Sequence, residues 1–148
     1  MIYIAHRGNI SGSNFDNEND PNYIDNAIDK GFDVEIDIFI ENQKIFLGHD
    51  IPQHQIDLKW LKSRRKKLWI HCKNSEAMIF FSKIKEYHYF WHENDKMTLT
   101  SKNFIWAYPT KTPIENSIAV LPELHKTNFK SCVGICSDWV LEYKNTYS

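Results

Sequence analysis

Acids and aliphatics alternate without a break over Asp33-Val34-Glu35-Ile36-Asp37-Ile38, and Phe39-Ile40 prolongs the run. Side chains along a strand point to opposite faces in turn, so Asp33, Glu35 and Asp37 share one face while Val34, Ile36, Ile38 and Ile40 share the other. Taken alone, such a segment fits an antiparallel strand whose polar face meets water. If helices cover its apolar face, the acids instead point inward, close enough together to bind one hard divalent cation that offsets their repulsion.

Seven further runs have strand character: Ile2 to His6, Lys44 to His49, Leu68 to Lys73, His88 to His92, Asn103 to Tyr108, Ser117 to Leu121 and Cys132 to Cys136. A helix is predicted between the first two strands, with Asp20 as N-cap, Pro21 in the first turn, Ile24, Ala27 and Ile28 as an apolar stripe and Gly31 as the stop. A second helix is predicted from Ser75 to Glu86, turning Ala77, Phe80, Phe81 and Ile84 to the core. Strands alternating with helices argue for a parallel α/β sheet with its site at the strand C-terminal ends. A full (β/α) barrel takes about 250 residues, and this chain has 148. The expected fold is therefore a reduced TIM-type barrel over residues 1–148, one domain, with several helices shortened or missing from Tyr87 onward. An open α/β sheet is the next choice.

A net charge of -1 gives no general attraction to nucleic acid or to an anionic membrane, so any phosphate must be held by a local site. Lys62 to Lys67 is strongly basic and reads as the solvated end of a short helix. Cys72, Cys132 and Cys136 form no Cys-x-x-Cys pair and read as buried reduced thiols. Ile2 to Ala5 is too short for a signal peptide or a spanning helix, and the expected location is cytoplasmic.

Around the acidic strand stand His6-Arg7-Gly8, Glu18-Asn19 and His49-Asp50. In a parallel barrel His6 and His49 end their strands at the mouth that Glu35 and Asp37 face. One imidazole there can take a proton from a nucleophile while the other protonates a leaving alkoxide. Arg7 offers a planar donor fork to a phosphate oxygen. Alternation in Leu68-Trp69-Ile70-His71-Cys72-Lys73 sets His71 and Lys73 on one face, where Lys73 can pair with phosphate and His71 can complete a metal shell.

His6-Arg7-Gly8, Glu18-Asn19, Glu35-x-Asp37 and His49-Asp50, in that order, resemble the glycerophosphodiester phosphodiesterase family, part of the phospholipase C-like phosphodiesterases with a TIM-type barrel. Gly134-Ile135-Cys136-Ser137-Asp138 resembles the Gly-Ile-x-Thr-Asp segment that closes the last strand there. The resemblance implies that His6 and His49 are acid and base, Glu35 and Asp37 metal ligands, and Arg7 and Lys73 phosphate contacts, with Glu18 and Asp50 in support. The family carries Glu-x-Lys where this chain has His71-x-Lys73, which makes His71 the third ligand expected here. It also commonly inserts a small domain after His-Asp, and this chain has only a short connection there.

The function expected is metal-dependent hydrolysis of a small or lipid-derived phosphodiester, with Mg, Ca or Mn as the cation and a cyclic phosphate as a conceivable first product. The alternative is a degenerate module of the same fold that binds a phosphoryl ligand or a partner without turnover. Nucleic acid and transmembrane segments are not expected. The exposed edges of a shortened barrel are compatible with a homodimer.

Overall fold

The computed structural model describes residues 1–148. In chain order the elements are β1 (Ile2–His6), α1 (Pro21–Asp29), β2 (Asp33–Glu41), β3 (Lys44–Leu47), β4 (His54–Ile56), α2 (Leu58–Arg64), β5 (Leu68–Cys72), α3 (Ser75–Ser82), β6 (His88–Phe90), β7 (Met97–Leu99), β8 (Ile105–Ala107), β9 (Ser117–Val120), a 3-10 turn (Pro122–Leu124), β10 (Gly134–Ser137) and α4 (Val140–Tyr147). All ten strands belong to one sheet. Its parallel part runs β6-β5-β2-β1-β10-β9-β8, while β3, β4 and β7 pair antiparallel.

This overturns the expected TIM-type barrel. The mixed sheet curls into a half-barrel with four short helices, and no strand ladder joins β6 to β7. The physical reason lies in the connections: the links from β6 to β9 have no helix to cover their outer face. The second predicted helix also ends early, at Ser82 rather than Glu86. No helix is long and apolar enough to cross a membrane.

Helices gather where the sequence carries apolar stripes. The Asp20 carboxylate accepts from the amides of Asn22 and Tyr23, and Pro21 opens the helix, so α1 begins where the capping signal lies. Ile24 and Ala27 of α1, Leu61 of α2 and Ala77 and Phe81 of α3 pack with Val34, Ile36, Ile38 and Ile40 in one buried cluster. Covering that face turns Asp33, Glu35 and Asp37 to the concave side. At the lower end Asp33 is taken up by Lys67 and the indole of Trp69. Ile4, Trp69, Phe90, Trp106, Ile118, Val120 and Cys136 fill the interior beneath Glu35 and Asp37.

One edge of β2 brings the two histidines together. Its amides and carbonyls at Val34, Ile38 and Ile40 serve the β5 side, where Asn74 finishes the edge with two hydrogen bonds to Ile40. The opposite edge serves β1 first, through Arg7 N–H to Glu35 O, and then β3, through Gly48 N–H to Asp37 O. The amide of Asp37, left between those strands, donates to Asn19 Oδ1 at 3.0 Å. His49 therefore reaches the mouth on the return limb of an antiparallel hairpin, not on a parallel strand. Strand alternation alone would send it with Ile45 and Leu47 into the helix-covered core. Gly48 breaks the alternation at φ 153°, and a Cβ there would lie 2.0 Å from the Ile51 carbonyl oxygen.

His88 lies in the floor, 3.9 Å from Trp69 between ring centres and 2.7 Å from Thr100 Oγ1 by its Nε2. Burial, helped by the charge of Lys102, pushes its pKa down to about 4. The unfolded chain takes a proton below about pH 6.5 that the fold refuses. Stability is thus lost as pH falls from that value toward the folded one. Urea unfolding of wild type should lose about 2 kcal/mol more between about pH 7 and pH 5 than His88→Gln does. Identical pH dependence in the two proteins would refute the assignment.

Candidate active site

Asp37 is fully buried at the centre of the polar end. Asn19 Nδ2 donates to its Oδ2 at 3.0 Å, and Arg7 Nε stands 3.1 Å from the same oxygen. His49 Nδ1 is 3.2 Å from Oδ2, while Lys73 Nζ is 3.7 Å from Oδ1. Burial pushes the carboxyl upward, but His49, His71 and Arg7 outweigh it and hold Asp37 well below the usual carboxylate range. Glu35, also buried, goes the other way: burial and the charge of Asp37 raise its pKa. Two neighbouring carboxylates are driven apart in this manner when one holds the closer cationic partners and the other the more distant ones.

His71 completes the pair. Its Nε2 donates to the carbonyl oxygen of His92 at 3.1 Å, which turns Nδ1 to the acids: with a proton it pairs with Asp37, and without one its lone pair is open to a cation. Nδ1 is 3.1 Å from Asp37 Oδ1 and 3.9 Å from Glu35 Oε1, and Asp37 Oδ1 has no aligned hydrogen-bond donor. Ligand atoms of Glu35, Asp37 and His71 all fall within 4.8 Å of one another. Three acceptors so placed call for a proton or a cation between them. An imidazole fixed by a backbone carbonyl on its far nitrogen is also the arrangement that orients metal-bound histidines.

His6 Nδ1 donates to Asp138 Oδ1 at 2.7 Å, leaving Nε2 for the cavity. Burial lowers the His6 pKa, yet the bond to Asp138 and the charge of Glu35 prevail and the net shift is upward. Asp138 is held in turn by Asn9 Nδ2 at 2.8 Å, and its amide donates to Glu123 Oε1. Arg7 sits at φ 52° in the left-handed region, a conformation that turns the chain sharply after β1. Its Nη1 donates to Glu18 Oε2 at 2.9 Å and its Nη2 lies 2.7 Å from His49 Nδ1. Gly8 follows at φ 91°, packed so tightly on Tyr23 that a Cβ would come within 2.8 Å of its ring.

His6, Arg7, Glu35, His49, His71 and Lys73 line one cavity of about 530 Å3. Asp37 lies beneath that lining, and Glu18 stands behind Arg7, joined also to Asn9 and Ser13. Asp50 does not join the group: its side chain is 90% exposed and reaches only to within 3.6 Å of His49 Nε2. Three participants carried no assigned role in the sequence reading. Asp138 and Asn19 stood inside motifs noted for other residues, Gly134 to Asp138 and Glu18-Asn19, and Asn9 directly follows His6-Arg7-Gly8.

Compared with protein-family models, curated proteins and solved structures, the chain has no match in any of the three.

Proposed function

We propose that this cavity cleaves phosphodiesters with the help of a divalent cation, using His6 and His49 as the proton-transfer pair. The carrying observation is the convergence of Glu35, Asp37 and His71 Nδ1 at a cavity that both His6 and His49 line. The donor set fits a cation: two carboxylates and an imidazole, one carboxylate oxygen lacking a donor, with Arg7 and Lys73 alongside for phosphate. When bound, the cation would supply charge to stabilise the phosphate in the transition state and lower the pKa of a coordinated hydroxyl. The resemblance of the first fifty residues to glycerophosphodiester phosphodiesterases supports the same reading.

The chain's own residues carry the proton traffic. A water or a neighbouring hydroxyl of the substrate forms the new P–O bond and gives its proton to one imidazole. The bond to the departing alcohol breaks as the other imidazole protonates it. Asp138, bonded to His6 Nδ1, fixes that ring's orientation and stabilises its imidazolium. Arg7 and Lys73 draw the phosphate oxygens into place.

A second reading, phosphoryl binding without turnover, is favoured by one feature: Arg7 and Lys73 already lie 3.1 and 3.7 Å from Asp37, partly filling the role of a cation. Hydrolysis of bis(p-nitrophenyl) phosphate and glycerophosphodiesters, with chelator and with Mg, Ca or Mn restored, separates the two. The catalytic reading expects turnover that chelation abolishes; its absence under every metal selects the binding module. His6→Ala and His49→Ala should each reduce kcat by about a hundredfold or more, and wild-type rates would end their assignment. Calorimetric titration of Mn should show one site weakened about tenfold or more by Glu35→Gln and by His71→Ala.

A further inference from the structure

The cavity has two unlike walls. Along its other side lie Trp106, Tyr108, Val120, Leu121 and Leu124, with the exposed Glu93 and His125 at the rim. The five wall residues come from β8 and β9 and the segments that follow them, the part of the fold that has no covering helices. Val120 and Trp106 are buried and make the inner end of this wall, whereas Tyr108 is 45% exposed and Leu124 62% exposed at its outer end. Large apolar side chains at the lip of a polar pocket keep an unfavourable hydration that an apolar ligand would relieve. A volume of about 530 Å3 suits an organic ligand rather than a bare phosphate group.

The geometry points to an amphiphilic phosphoester as the ligand: its phosphate among Arg7, Lys73 and the acidic pair, and a hydrocarbon chain on one of its alcohols lying along the Trp106–Leu124 wall. This rests on the phosphodiester reading for the phosphate end and adds the chemistry of the alcohol. A glycerol or other polyol would need hydrogen-bonding partners along that wall, and its five side chains offer only the Tyr108 hydroxyl and the Trp106 indole N–H. His92 stands at the junction of the two walls, both its ring nitrogens buried without a partner, 4.8 Å from the Tyr108 ring. It is placed to donate to an ester oxygen where the phosphate gives way to the chain.

The test compares methyl, glyceryl and octyl p-nitrophenyl phosphates, which share a leaving group, with the octyl ester kept below its micelle concentration. The octyl ester should show kcat/KM at least about tenfold above the other two, since burying even two methylenes is worth that much. Equal values, or preference for the glyceryl ester, would overturn the inference. Leu124→Gln and Tyr108→Gln alter exposed side chains and should each shrink the octyl-to-methyl ratio several-fold; an unchanged ratio in both also counts against it. If no ester is turned over, the catalytic reading fails by itself and equilibrium binding decides. Octyl phosphate should then quench tryptophan fluorescence at least about tenfold more tightly than methyl phosphate, and equal affinities would refute the apolar wall as a ligand site.

Discussion

A carboxylate with no exposure to water organises the polar end of this protein. Asp37 is expensive to bury charged unless it is surrounded by donors and cations, and the fold delivers them from four separate segments: Arg7 after β1, Asn19 before α1, His49 after β3, and His71 and Lys73 in and just beyond β5. Each of those segments must be in place for the charge to be tolerated. The same requirement that stabilises the charge therefore assembles the candidate site, and it ties the loops on both flanks of β2 to a single atom group.

The half-barrel makes that assembly possible in few residues. β2 is long enough to hydrogen-bond β1 with its lower half and β3 with its upper half on the same edge. A tight hairpin thus brings a second histidine beside the first without a crossover helix. The curled sheet keeps the concave side apolar below and charged above, and the helix-poor half from β6 onward contributes an aromatic and aliphatic wall. The two walls differ because their supports differ: capped helices press the apolar face of β1, β2 and β5 outward, whereas β8 and β9 turn part of their apolar set into the cavity.

Much of the site was legible in local chemistry. Alternation in β2 and β5 sets Glu35, Asp37, His71 and Lys73 on one face, and the structure places them together. The capping signal of α1 was equally plain, because Asp20, Pro21 and Gly31 act through the backbone of their own turn. The direction of β3 was not legible: four residues of apolar alternation look alike in a parallel and an antiparallel strand. Nor was the role of Asp138, a residue whose partner lies 132 positions away in the chain. Asp50, next to His49 in sequence, meets the site only through that ring, at 3.6 Å, with its side chain 90% exposed.

What the sequence determined by itself was the set of local periodicities and caps, and with them which face of each strand is acidic, basic or apolar. Those features depend on covalent spacing and on contacts within a few residues. Tertiary structure alone decided the open curl of the sheet, the reversal of β3 on the edge of β2, the capture of His6 by Asp138 and the two-walled cavity. These depend on which strand edges find one another and on where a buried charge can be neutralised, and both are settled only when distant segments compete for the same space.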